Sequence, residues 1–214
     1  MREHTGLPLK AAEFAPDGPT RGNVVFLHGL GSTYMDMLSL AEDMRFPARH
    51  VLLDGPLTVT MGEHYEGRGW FNRRGPTLEG LEESVQRVRD TLNALEVDAD
   101  RTVMVGFSQG AAMALATVLE SDTTPAGLCM LAGFVPAPIR LRERRERVQN
   151  LYCLLCHGIH DDVVPFKDGH AALDLLASHG ARARLVAFPT SHWVAGEMVV
   201  ELQRFLDERL PPLK

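Results

Sequence analysis

Four side chains, placed far apart along the chain, have the chemistry required for nucleophilic catalysis. In chain order they are Ser108, the adjacent pair Asp161 and Asp162, and His192. A serine hydroxyl is a weak nucleophile at neutral pH and needs an imidazole to accept its proton. A carboxylate then holds the imidazole in the required tautomer and stabilises its cationic form. These residue types therefore predict acyl transfer through a covalent intermediate, provided that the fold brings them together.

The serine lies between a predicted strand and a predicted helix. Residues 102–105 form an apolar, partly β-branched run, and residues 111–119 are small and apolar, as in a helix packed flat on a sheet. The turn between them matches G-x-S-x-G, in which small residues flank the serine at two positions' distance because side chains would clash there. This turn lifts the Ser108 hydroxyl clear of the sheet and directs the first amides of the helix at a developing oxyanion.

The remaining patterns predict strands that alternate with helices. Predicted strands cover residues 23–27, 50–54, 126–131, 151–156 and 184–188, and predicted helices cover residues 38–44, 78–95, 140–148, 166–179 and a segment after residue 193. Residues 55–76 are predicted to be a long irregular segment, which in a compact domain often forms a lid or a binding loop. The alternation predicts an α/β fold with a parallel sheet, whose working residues gather at the carboxyl ends of the strands.

Length and composition limit the number of domains and the kinds of partner that the chain can have. The chain has 214 residues, a net charge of −6 and a pI near 5.8, so we expect one domain over residues 1–214 and no nucleic-acid partner. No signal peptide, membrane span or lipidation motif is visible, so no stable membrane association is expected. The three cysteines lie in apolar runs, which is typical of a reducing compartment and predicts a cytoplasmic location.

One motif in the sequence is also known as a cofactor attachment signal. Residues 153–157 spell C-x-x-C-H, the signal for c-type haem attachment. The motif lies in a buried-strand pattern, where residues three apart face opposite sides of the sheet. Neither a haem nor a zinc ion is expected there, and no cofactor or metal is predicted for the chain.

The chain resembles the phospholipase/carboxylesterase branch of the α/β-hydrolases, which includes acyl-protein thioesterases and small bacterial carboxylesterases. The resemblance rests on FLHGLG at residues 26–31, GFSQG at 106–110, H-G-x-x-D-x-V-V-P at 157–165 and the pair Ser191-His192 before the final helix. The chain order Ser, Asp, His also agrees with that fold. The resemblance implies a three-layer α/β-hydrolase fold with a mostly parallel central sheet, helices on both faces and a minimal cap.

Site residues follow from the same resemblance. Spacing alone leaves Asp161 and Asp162 open as the catalytic acid, whereas the family's motif corresponds to Asp161. The family's oxyanion hole corresponds to the amides of Leu30 and Gln109. Four aromatic residues are candidates for substrate binding, although aromatic side chains more often simply pack in a core: Trp70, Phe71, Phe134 and Trp193.

The candidates Ser108, His192 and Asp161 predict a serine hydrolase of small-molecule carboxylic esters or thioesters. The resemblance implies lysophospholipase or acyl-protein thioesterase as specific activities. A non-catalytic ligand-binding protein of the same fold is the alternative from another class. Hydrolases of activated lactones resemble the chain in fold but use a cysteine where this chain has Ser108. Small members of the family often dimerise, so the resemblance also raises a homodimer as an expectation, although no residue here compels it.

Overall fold

An eight-stranded, mostly parallel sheet forms the centre of the computed structural model, which describes residues 1–62, 65–72, 78–136 and 145–212. The strands are Arg2–His4 (β1), Ala11–Phe14 (β2), Asn23–Leu27 (β3), Arg49–Leu53 (β4), Leu57–Met61 (β5), Tyr65–Gly69 (β6), Thr102–Phe107 (β7), Gly127–Leu131 (β8), Tyr152–Gly158 (β9) and Arg182–Phe188 (β10). The order in the large sheet is β1-β2-β4-β3-β7-β8-β9-β10. Its two N-terminal pairings are antiparallel and the others are parallel.

Helices cover both faces of this sheet. They are Tyr34–Met44 (α1), Leu81–Ala94 (α2), Gln109–Glu120 (α3), Arg145–Val148 (α4), Phe166–Ser178 (α5) and Gly196–Arg209 (α6). Buried side chains of α1 and α6 pack on one face, and those of α2, α3 and α5 pack on the other. The predicted three-layer fold with a mostly parallel sheet is confirmed.

Side-chain alternation along the strands distributes the buried residues between these two cores. Cys153 belongs to the core on the α3 side, and Cys156 belongs to the core on the α6 side. The two cysteines are three positions apart along the strand, so their thiols point in opposite directions. The C-x-x-C-H pattern therefore does not gather its two cysteines at one place. All three cysteines are buried and free.

Residues 55–76 differ from the predicted irregular segment. Strands β5 and β6 pair antiparallel as a separate two-stranded hairpin. The sequence of β6, Tyr-Glu-Gly-Arg-Gly, hides this strand because glycine is depleted in strands. A Cβ at Gly67 would collide with the Gly31 backbone, and one at Gly69 would meet the side chains of Leu30 and Val59, contacts that only the fold reveals. Residues 63–64 and 73–77 of the predicted segment lie outside the described residues.

Two predicted helices have different bounds in the structure. Helix α1 begins at Tyr34 rather than at residue 38, because Thr33 and Asp36 form a capping box that satisfies the first amides. Of the predicted surface helix at residues 140–148, the structure gives a helix only for Arg145–Val148, and residues 137–144 lie outside the described residues. Within the described parts of the chain, no helix has the length and apolar character needed to span a membrane.

Candidate active site

The turn between β7 and α3 holds Ser108 in a strained backbone conformation. Its φ of 53° and ψ of −116° lie outside the regions that a side chain normally prefers. The flanking glycines allow this turn to pack closely. A Cβ at Gly106 would lie 2.3 Å from the Gly110 carbonyl oxygen, and one at Gly110 would lie 2.1 Å from the Leu27 carbonyl oxygen. The sharp turn predicted from G-x-S-x-G is therefore present, with its serine at the carboxyl end of a central strand.

The structure brings Ser108, His192 and Asp161 into one hydrogen-bonded chain. His192 Nε2 lies 3.0 Å from Ser108 Oγ, and His192 Nδ1 lies 2.7 Å from Asp161 Oδ2. Asp161 follows β9 and His192 follows β10, so both loops leave the sheet at the same edge as the serine turn.

Hydrogen bonds from His192 and from two backbone amides keep the Asp161 carboxylate ionised and oriented. Burial acts to raise its pKa, but hydrogen bonds from His192 and from the amides of Val164 and Val163 lower the pKa below its ordinary value. An ionised carboxylate only accepts hydrogen bonds, so His192 Nδ1 must donate to it. In the neutral imidazole Nε2 is then the acceptor, and it faces the Ser108 hydroxyl.

Asp162 has a different environment. Its side chain is exposed, and its Oδ1 accepts a hydrogen bond of 3.2 Å from Ser191 Oγ. Of the two aspartates that spacing left open, Asp161 is the one that contacts the His192 ring.

Two amides near the serine are available as donors. The amides of Leu30 and Gln109 have no acceptor among the residues that the structure describes. Gln109 is the first residue of α3, where an amide has no partner within the helix. Leu30 belongs to the loop after β3, which His28 supports from below: its Nε2 accepts from the Gly55 amide at 2.9 Å, and its Nδ1 contacts the Gly29 carbonyl oxygen at 2.7 Å.

Two residues predicted to bind substrate lie elsewhere. The side chains of Trp70 and Phe71 are 0% and 1% exposed and belong to the hydrophobic core. The side chain of Gln109 fixes this segment by accepting from the Trp70 amide at 2.9 Å and donating to the Phe71 carbonyl oxygen at 2.8 Å. The prediction is corrected to core packing, because both rings are buried and the Trp70 indole N–H donates to the His28 carbonyl oxygen at 2.8 Å. Phe134 also packs against the same core.

A cavity of about 640 Å³ opens beside the serine. Five of the predicted site residues line this cavity, namely Leu30, Ser108, Gln109, His192 and Trp193. The predicted substrate-binding residues Trp70, Phe71 and Phe134 do not line it. Most of the other wall comes from α1, the start of α6 and the hairpin. Trp193 is 56% exposed at the rim.

The described residues contain no group of three or more histidine, cysteine or acidic side chains arranged to hold a metal ion. No metal ligand is assigned within that part of the chain.

Comparison with protein families matches residues 11–210 to the phospholipase/carboxylesterase family. The chain belongs to this family. The family prediction and the α/β-hydrolase fold are thereby confirmed, and the predicted enzyme class, an ester hydrolase, agrees with the family.

Individual phospholipase/carboxylesterase relatives support the assignment. Acyl-protein thioesterase 1 of Yarrowia lipolytica is 30% identical over 79% of this chain and 79% of its own length. Acyl-protein thioesterase 1 of Neurospora crassa is 28% identical over 88% of this chain and 86% of its own. Among solved structures, the esterase PE8 is 31% identical, with a TM-score of 0.82 over 94% of this chain and 99% of the other.

Sequence reasoning missed several residues of this phospholipase/carboxylesterase site. The Phe107 ring lies 4.9 Å from the His192 ring, centroid to centroid, and both line the cavity. Met61 reaches the cavity from the hairpin. The position of Phe107 inside G-x-S-x-G was a usable signal, since the residue before the serine must lie beside it. No local signal in the sequence identifies Met61 as a cavity residue, because its position depends on how the hairpin packs against the rest of the fold.

Proposed function

We propose that the protein is a serine hydrolase that cleaves carboxylic esters or thioesters through an acyl-enzyme. The observation that carries the proposal is the hydrogen-bonded chain from Ser108 through His192 to Asp161 at the wall of a mostly apolar cavity. Nucleophile, base and orienting acid are within the distances that acyl transfer requires.

In the proposed reaction, Ser108 Oγ attacks the acyl carbon while His192 Nε2 accepts its proton. Asp161 stabilises the imidazolium that forms. The amides of Leu30 and Gln109 donate to the oxygen that becomes negative in the tetrahedral intermediate. His192 then protonates the leaving alcohol or thiol. Water, deprotonated by His192, attacks the acyl-serine and releases the carboxylic acid and the free serine.

The proposed substrates are small-molecule esters or thioesters whose apolar part enters the cavity. Its wall includes Met37, Leu40, Val194 and Val199, which suit an alkyl group. Acyl-protein thioesterase activity is one specific candidate, because two of the relatives above carry that name. Lysophospholipase activity is the other, since the family's name includes phospholipase.

Hydrolysis of p-nitrophenyl acetate and labelling by a fluorescent fluorophosphonate test this function. We expect wild-type protein to hydrolyse the ester and to be labelled, and Ser108→Ala and His192→Ala to lose both. Removal of a member of such a triad lowers kcat by about 10⁴- to 10⁶-fold. A folded wild-type protein that neither hydrolyses nor labels would instead support the non-catalytic ligand-binding alternative. Activity that survives in Ser108→Ala would exclude this serine as the nucleophile.

Two expectations are also proposed for the whole protein. A cytoplasmic location agrees with its three free, buried cysteines, and imaging of a tagged full-length chain tests it. A homodimer is proposed by analogy with small members of the family, and light scattering of the purified protein tests it.

A further inference from the structure

The β5–β6 hairpin is hydrogen-bonded to the loop that carries Leu30. The Gly31 amide donates to the Arg68 carbonyl oxygen at 2.8 Å, and the Arg68 amide donates to the Ser32 carbonyl oxygen at 2.8 Å. The neighbouring Ser32 amide donates to the Gly29 carbonyl oxygen at 3.2 Å. The Gly29 carbonyl belongs to the same peptide group as the Leu30 amide, so its bond from the Ser32 amide helps to orient that amide. The hairpin holds residues 31–32 in place and so acts on the Leu30 amide through this bond.

This contact depends on a glycine in the hairpin. A Cβ at Gly67 would lie 2.0 Å from the Gly31 carbonyl oxygen and 2.3 Å from its carbonyl carbon. Both atoms belong to backbone, which cannot rotate away as a side chain can. The φ of Gly67 is not in the left-handed region, so close approach, rather than an unusual backbone angle, is the reason that a glycine is needed.

Met61 extends the contact on the cavity side. Gly31 has a φ of 80°, and a Cβ there would lie 2.9 Å from Met61 Sδ. On its other side the loop packs against the serine turn, since a Cβ at Gly29 would lie 3.0 Å from the Phe107 ring. The Leu30 amide has no acceptor among the residues that the structure describes.

We propose that Gly67 is a positioning residue of the reaction. By carrying no side chain, it lets the hairpin dock on residues 31–32 and so aims the Leu30 amide at the oxyanion. This inference rests on the proposed function, because the amide matters only if an oxyanion forms. It assigns the hairpin, expected from sequence to be a lid or binding loop, the role of holding the loop that completes the oxyanion hole.

Steady-state kinetics of Gly67→Ala with p-nitrophenyl acetate tests the proposal. An oxyanion donor acts in the transition state, so its displacement lowers kcat while leaving KM nearly unchanged. We expect kcat to fall about 10- to 100-fold, up to the loss typical of removing one oxyanion donor, with KM within about threefold. Gly196→Ala is the matched control, since a Cβ there meets no described atom within 4 Å, and its kcat should equal that of wild type.

A second pair of variants keeps the test decisive if Gly67→Ala does not fold. Both backbone groups of Arg68 face the loop, so its amide is not part of the β5–β6 ladder. Arg68→Pro removes that amide's bond to Ser32 and puts the proline ring against the loop, whereas Arg68→Ala keeps the amide and removes only the side chain. We expect Arg68→Pro to have about tenfold lower kcat than Arg68→Ala, at similar KM.

The outcomes separate this inference from the proposed function. If wild-type protein neither labels nor hydrolyses, the proposed function fails and the inference fails with it. If wild type is active and folded Gly67→Ala keeps the kcat of Gly196→Ala, the positioning role alone is wrong. A rise in KM without a fall in kcat would also overturn it, because that pattern reports substrate binding.

Discussion

The two oxygens of the Asp161 carboxylate accept hydrogen bonds from different partners. Oδ2 faces His192 Nδ1, and Oδ1 accepts from the amides of Val163 and Val164 at 3.0 and 2.8 Å. The backbone therefore fixes the carboxylate before any substrate binds. Asp162 has no equivalent contacts and accepts only from Ser191 among the contacts the described residues provide.

Substitution of the two aspartates should therefore have unequal effects. In Asp161→Asn, an amide group facing Nδ1 favours the tautomer with its proton on Nε2, which cannot accept the serine proton. We expect kcat for p-nitrophenyl acetate to fall by about 10³- to 10⁴-fold. Asp162→Asn is the matched control and should retain kcat within about twofold. An equal loss of kcat in both variants would contradict the assignment of Asp161 as the catalytic acid.

At the scale of elements, one carboxylate joins three strands at the N-terminal edge of the sheet. Glu13 on β2 accepts from Arg49 on β4 at 2.6 and 2.7 Å and lies 2.9 Å from His4 Nε2 on β1. Burial acts to raise the pKa of Glu13, but the hydrogen bonds from Arg49 and His4 lower it below the ordinary value of 4.5. A lowered folded-state pKa stabilises the protein above pH 4.5, and this contribution is lost as the pH falls through the lowered value.

Glu13→Gln should therefore destabilise the protein in a pH-dependent way. At pH 7 we expect the free energy of unfolding to fall by about 1 kcal/mol, since the pair is partly exposed. The difference from wild type should shrink as the pH is lowered below 4.5, because the wild-type carboxylate is then protonated as well. Urea unfolding followed by circular dichroism at several pH values measures this difference in the free energy of unfolding. A difference that stays constant with pH would exclude the ionised carboxylate as its source.

At the scale of the whole molecule, the cavity is assembled from elements distant in sequence. The serine turn, α1, the hairpin and the start of α6 each contribute to its wall. Of two adjacent residues on α6, Val199 lines the cavity, whereas Val200 is 45% exposed and does not. Substitution of these two residues therefore tests whether the alkyl group of a substrate enters this cavity.

Val199→Phe should shorten the range of esters that the protein accepts. The larger ring occupies volume that a long alkyl group would fill, whereas an acetyl group needs only the space next to Ser108. We expect kcat/KM for p-nitrophenyl octanoate to fall about tenfold, and that for the acetate to stay within about twofold. Val200→Phe should change neither value. An unchanged octanoate-to-acetate ratio in Val199→Phe would place the alkyl group outside this cavity.

Local pattern in the sequence determined the framework of this protein. The apolar run before G-x-S-x-G, the small residues after it and the alternation of strands with helices predict a parallel sheet with Ser108 at a strand end. Those signals are local, because strand burial and a tight turn depend on neighbouring residues. The positions of Asp161 and His192 after predicted strands place both at the same edge of the sheet as Ser108. The family motif was needed to choose between Asp161 and Asp162.

Tertiary structure alone decided the rest. Trp70 and Phe71 read as pocket residues in sequence, but the Gln109 side chain binds their backbone and both rings enter the core. The sequence did not predict the hairpin, because the glycines of β6 weaken the strand signal. Gly67 is a glycine because the Gly31 backbone approaches it closely, which only the tertiary structure shows. Contacts between segments distant along the chain depend on how the elements pack in three dimensions. The spacing of residues in the sequence does not reveal that packing.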